Sequence, residues 1–76
     1  MKLEIISPEK KLFEGEASSI VVPAVDGSLG ILDNHAPLIS ALKKGVVEIS
    51  GNTSTEFPIN GGVVEVLANK VVILAE

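Results

Sequence analysis

The chain has no cysteine, tryptophan or tyrosine, and it carries a single histidine, His35. Without cysteine there are no disulfide staples, thiolate metal sites or thiol nucleophiles. Arginine is absent too: all six basic residues are lysines (Lys2, Lys10, Lys11, Lys43, Lys44, Lys70), so bidentate clamps on phosphate or carboxylate are excluded. Ten carboxylates outnumber those lysines and give a formal charge of -4. That balance argues against nucleic acid, whose phosphates demand cationic partners. Phe13 and Phe57 are the only aromatic residues, too few for a base-stacking platform.

What is present is aliphatic. The chain has 76 residues, 46% of them hydrophobic, which suits one small domain spanning residues 1–76. A chain this short buries only about 60% of the surface it exposes when unfolded. Some apolar area is therefore expected to face outward and to serve as a contact surface. Met1-Lys2-Leu3-Glu4-Ile5 has an early acidic residue and too short an apolar run for a secretory signal. Ala17 to Val25 is free of charge but is about half the length that a spanning helix needs, so a soluble intracellular protein is expected.

Valine and isoleucine predominate, and turn residues recur at short intervals, the pattern of short strands in a sandwich or barrel. Leu3 and Ile5 alternate with Lys2 and Glu4 ahead of a turn at Ser7-Pro8-Glu9-Lys10, and Leu12-Phe13 opens a second strand running to Gly15. Ser18 to Val22 reads as a central strand closed by Pro23, which cannot donate to a ladder. Asp26 to Leu42 reads as a glycine-paced loop interrupting the strands. Within it, Pro37 to Gly45 fits either a short helix, with proline in its first turn and glycine at its end, or a strand. Val46–Ser50 and Thr55–Ile59 flank Gly51-Asn52-Thr53 as a hairpin, with Pro58 directing its strand to an edge or a bulge. Gly61-Gly62 marks a bulge or a close backbone approach. Val63–Leu67 and Lys70–Leu74, joined by Ala68-Asn69, form a second antiparallel hairpin. The expected class is all-β, an antiparallel sandwich of two roughly five-stranded sheets.

The candidate sites for chemistry are thin. One imidazole cannot supply a zinc site, so His35, despite Asp33 and Asp26 nearby, is expected to make structural or surface contacts. Ser40, His35 and Asp33 could be written as a triad, but no nucleophile elbow or oxyanion motif accompanies them. Gly27-Ser28-Leu29-Gly30 lacks the lysine and helix of a phosphate loop and reads as a tight corner. Asn52-Thr53-Ser54 is formally a glycosylation sequon, read here as a polar turn. Glu14 and Glu16 share one strand face and are expected to be solvated. Lys43-Lys44 before Gly45 could present a modifiable lysine, as in small all-β biotinyl or lipoyl carrier domains, though Ala41-Leu42 and Gly45-Val46 lack the neighbours usual there. No catalytic residue, cofactor or metal is expected.

Glu9 to Gly15, Gly27 to Leu42, Gly62-Val63-Val64-Glu65-Val66 and Val71 to Glu76 together resemble the epsilon subunit of the rotary ATP synthase. The likeness covers essentially the whole chain, in order, and corresponds to that family's N-terminal β-sandwich domain. Gly-Ile-Leu-x-x-His-Ala-Pro-Leu followed by Gly-Gly-Val-Val-Glu-Val is distinctive as a combination.

The resemblance implies a non-catalytic role at the foot of the central stalk. The domain would bind the gamma subunit and the rotor ring of c subunits, as a monomer within the complex, and support coupling of proton or sodium transport to ATP synthesis. It would lie peripherally on the cytoplasmic face of a bacterial inner membrane. Contacts with the rotor are carried by analogy to Ser28, Leu29, Gly30, Ile31, Asn34, His35, Ala36, Pro37 and Leu38. Asp33 and Lys44 stand where many relatives have proline, which bears on loop rigidity and on the exit toward Val46. The sequence ends at Glu76, where most relatives continue into two helices that inhibit ATP hydrolysis and in some members bind ATP, so neither activity is assigned.

Overall fold

A computed structural model describes residues 1–52 and 54–76. Strands β1 (Lys2–Ile6), β2 (Lys11–Glu16), β3 (Ser19–Ala24), β4 (Gly27–Leu32), β5 (Leu38–Leu42), β6 (Gly45–Ser50), β7 (Ser54–Ile59), β8 (Gly62–Leu67) and β9 (Lys70–Ala75) account for the regular structure, with no helix among the described residues. Alternation sets the two faces. In β3, Ile20, Val22 and Ala24 are buried while Ser19, Val21 and Pro23 are only partly so, the period of two that a pleated strand imposes.

The hydrogen-bonded order is β2-β1-β9-β8-β5-β3-β6-β7, with β4 on the other side of β3. The join between β5 and β3 is a single pairing, Ala24 with Leu42, so the ladder curls there into two layers. One layer is β2-β1-β9-β8-β5 and the other is β4-β3-β6-β7, which meets the expectation of a sandwich. Inward residues from both layers build one apolar cluster. Leu3, Ile5, Val64, Val71 and Ile73 on the first and Ile20, Val22, Ile31 and Val47 on the second have no exposed surface.

Two details depart from the sequence reading, and one alternative it left open is decided. Gly27–Leu32, read as loop, is β4, which pairs with β3 along its whole length. Its two glycines and Ser28 hide the signal, because strand propensity lies in β-branched side chains rather than in backbone pairing. Pro37–Gly45 resolves as strand β5, which pairs with β8 from Leu38 to Leu42. Lastly, β1 and β9 run parallel, which is possible because the rest of the chain serves as their crossover.

The prolines behave as their chemistry requires. Pro58 lies in the edge strand β7. Pro23 does not close β3, which continues to Ala24. Its carbonyl accepts from Lys43 N at 2.8 Å, in the link where β5 ends and β6 begins. The N–H and C=O of a strand residue point to the same edge, so the donor missing from proline costs β4 nothing. Ala68 and Asn69, both with φ near that of a left-handed residue (52° and 58°), form the two-residue turn of the β8–β9 hairpin. Thr53, in the Asn52-Thr53-Ser54 sequon, lies outside the described residues.

Charge organises the outside of the first layer. Glu4 on β1 bonds Lys70 on β9 at 2.8 Å and Lys11 on β2 at 3.0 Å, and Lys11 and Lys2 reach Glu14 at 3.1 Å each. Glu14 is thus paired rather than merely solvated. The two ammonium groups hold the Glu4 carboxyl at a pKa of about 2, and those of Lys11 and Lys2 lower that of Glu14. A carboxyl depressed in the folded state stabilises the fold at pH above its unfolded value. Stability is therefore expected to fall as pH drops from about 4.5 toward 2. Urea titrations across that range check this, and Glu4→Gln should flatten the dependence. The Lys11 ammonium, raised by the same partners, adds stability that is lost only in strong alkali.

Candidate functional site

The segment Ser28 to Leu38 begins as the edge strand β4. Ile31 is fully buried and Leu29 half-buried against the core, whereas Ser28, Gly30 and Leu32 lie on the exposed side of the alternation. Ser28 and His35 consequently stand at opposite ends of the strand. Four residue steps of extended chain from Ser28 to Leu32 span about 13 Å, and His35 lies in the turn beyond Leu32. What joins them is the free edge of β4 itself.

Beyond β4 the chain turns, with His35 N donating to Leu32 O at 3.2 Å and Asn34 in a left-handed conformation (φ 61°). Asn34 N donates to Asn69 Oδ1 at 2.8 Å, and Lys2 N donates to Asn69 O, so this turn is tied to the β8–β9 hairpin and to β1. Ala36 and Pro37 are exposed, and Leu38 is half-buried as β5 begins.

Asp33 is paired elsewhere than with His35. Its Oδ1 accepts from the Met1 ammonium at 2.6 Å, and that ammonium also donates to Ala17 O at 2.9 Å. The His35 ring nitrogen Nδ1 lies 2.7 Å from Ala36 O, and Ser40 Oγ is bonded to Ala41 O. Serine, histidine and aspartate therefore each have a separate partner, and no triad is assembled. No group of three acidic or imidazole side chains is arranged for a metal among the described residues. Lys43 and Lys44 are exposed in the link between β5 and β6, but those strands belong to different layers. The link is a crossing between sheets rather than the tip of a hairpin.

Sequence reading missed a second surface. On the outer face of the first layer, pairing sets Ala41, Val63, Leu74 and Ile6 in one row and Ile39, Glu65, Val72 and Glu4 in the next. Ile39 is 73% exposed and Leu74 49%, and Leu67 adds 58% at the end of β8. The β5–β8–β9 half of this face is therefore mostly apolar, interrupted by the exposed Glu65, and the β1–β2 half carries the Glu4 ion network. Surplus hydrophobicity was legible from composition, but only register gathers these residues.

Over residues 1–76 the sequence matches the family described as ATP synthase, Delta/Epsilon chain, beta-sandwich domain. The chain belongs to that family. Among its relatives, the ATP synthase epsilon chain of Chlorobium limicola is 44% identical over 77 residues, covering 99% of this chain and 88% of that one. The ATP synthase epsilon chain of Leptospira interrogans is 43% identical, covering all of this chain and 61% of its own length. This delta/epsilon-type sandwich thus spans about three fifths of some family members and most of others. Its fold recurs in solved structures of a Tetrahymena thermophila mitochondrial ATP synthase central stalk and c-ring, at a TM-score of 0.81 and 24% identity, covering 97% of this chain and 61% of that one. A chain of the Euglena gracilis mitochondrial ATP synthase OSCP, F1 and c-ring assembly gives 0.88 and 21%, covering 96% and 48%.

Proposed function

We propose that this domain is a non-catalytic component of the central stalk of a rotary ATP synthase, linking the gamma subunit to the rotor ring of c subunits. Family membership over the full chain is the observation that carries this reading. Transmission of torque asks for a stiff body with adhesive surfaces, and close-packed interiors resist deformation. The strands of two layers, packed around a core with fully buried residues from both, supply the stiffness.

The mostly apolar outer face of β5, β8 and β9 is the surface assigned to gamma. The β4 edge and the turn through His35, Ala36 and Pro37 are assigned to the ring. Within the complex the domain acts as a monomer, on the cytoplasmic face of a bacterial inner membrane, and contributes to coupling of proton or sodium flow without chemistry of its own.

Ile39 offers the sharpest test because it is so exposed. Ile39→Asp should lower folding stability by only about 1 kcal/mol, chiefly through repulsion of Glu65 opposite it on β8. It should also abolish co-elution with the cognate gamma subunit on gel filtration, since a charge in an apolar contact is left unpaired. Failure of the unmodified domain to co-elute would overturn the reading. Cysteines at Ser28 and His35 should crosslink to the polar loops of the ring in the assembled enzyme, and crosslinking only from the β1–β2 side would reverse the choice of face.

A further inference from the structure

Among the described residues β2, β7 and β4 are open along their length, and β5, tied to β3 only near Ala41 and Leu42, is open over the short stretch Leu38–Ser40; β2 and β7 are guarded. β2 carries Lys11, Glu14 and Glu16, and β7 carries Glu56 and Pro58. Charged residues and proline on an edge prevent pairing with another chain. β4 has neither: Gly27-Ser28-Leu29-Gly30-Ile31-Leu32 is uncharged throughout. An unguarded edge is a template for an added strand.

Its hydrogen-bonding side can be assigned. Pro23 O accepts from Lys43 N, and Val25 N just beyond β3 donates to Ala41 O, so odd residues of β3 face away from β4. Ile20, Val22 and Ala24 therefore bond Ile31, Leu29 and Gly27. Ser28 and Gly30 turn their N–H and C=O groups to the open edge, as does the Leu32 carbonyl that accepts from His35. Nothing lies within 4 Å of where a side chain at Gly30 would start, so the outer face beside this edge is clear as well. Asp26, exposed in the turn that opens β4, has no ion-pair partner among the described residues.

We infer that the β4 edge takes an extended segment of its partner as an additional strand, paired through the main chain of Ser28 and Gly30, with a cationic side chain of that segment against Asp26. This rests on the assignment of β4 to the rotor ring and specifies how that contact is made. Affinity then comes from backbone pairing, which explains why a contact surface can consist largely of glycine and serine. An uncharged strand suits a main-chain partner, and the acidic residue at its end selects the charge of that partner.

The test uses the assembled enzyme and isolated rotor rings. Amide hydrogen exchange at Ser28 and Gly30 should slow on assembly, while the exposed amides of β2 and β7 keep their rates. Gly30→Pro removes only the outward N–H and should weaken binding to rings by about tenfold, the cost of an interfacial hydrogen bond left unpaired. Gly30→Ala, which keeps that N–H in open space, should bind within about threefold of the unmodified domain. Comparable urea midpoints for the two variants separate lost pairing from lost folding. Should Gly30→Pro fold poorly, the exchange measurement decides alone. Crosslinks from Ser28 to the ring with freely exchanging Ser28 and Gly30 amides would overturn strand addition and leave the rotor contact intact. Protected amides without any crosslink to the ring would overturn the ring as occupant. Protection that rises with the concentration of the isolated domain would identify a second copy as the occupant and overturn the proposal.

Discussion

Gly62→Ala is expected to destabilise the domain by about 4 kcal/mol or more, from two additive causes. Gly62 has a φ of 143°, a conformation that L side chains rarely adopt and one that costs about 1–3 kcal/mol to impose. In addition, an alanine Cβ would overlap the Leu74 carbonyl oxygen and approach Ala75 Cα to 3.2 Å. That obstacle is backbone, which cannot rotate away as a side chain can. Gly62 pairs with Leu42 on β5 and with Ala75 on β9, so relief would require β8 to leave one of its two neighbours. A domain of this size has about 4–11 kcal/mol of stability in all. Urea unfolding should show a domain that is largely unfolded or melts near room temperature. A loss below about 1 kcal/mol would mean that the backbone shifts more freely than this packing allows.

Ile73→Ala is expected to cost about 4 kcal/mol, near the upper end for buried isoleucine. Ile73 stands between Ile5 on β1 and Val64 on β8 in one row, and all three are fully buried. The cavity would open at the parallel β1–β9 seam, with a strand hydrogen-bonded on each side. Such a site cannot collapse inward without breaking pairing, so the cavity penalty is retained almost whole. Denaturation with urea measures this directly. Ile39→Asp on the outer face supplies the contrast, because it should disturb binding while disturbing the fold far less.

These two substitutions mark how far the residues alone could be read. Gly61-Gly62 was recognisable as a bulge or a close approach because glycine pairs are where backbones crowd. Which backbone, and which of the two glycines it crowds, depends on β9 returning beside β8. Ile73 was visible as a strand residue through its β-branched neighbours, but its place beside Ile5 was not. That contact joins opposite ends of the chain in parallel, and no local pattern encodes it.

The candidate site divides in the same way. His35 could be weighed from the sequence by counting ligands, since one imidazole is too few for a zinc centre and no motif supports a nucleophile, but its Ala36 carbonyl partner is visible only in the structure. The nature of Ser28 to Leu32 was obscured, because glycine and serine carry no strand signal even when their backbone is fully paired on one side. Asp33 was legible as unusual, yet its partner, the Met1 ammonium, is brought to it by the fold.

By itself the sequence determined the β class, both hairpins near the C-terminal end and, through its combined motifs, the family. Each of these follows from residue type and local spacing. Tertiary structure alone decided that Gly27–Leu32 is a strand, that its outer edge is left open, that Ser28 and His35 sit at its two ends, and that Ile39, Val63, Val72 and Leu74 form one face. Those facts depend on strand pairing between distant segments. Register is set by the whole hydrophobic pattern acting together, so no single stretch of residues could state it.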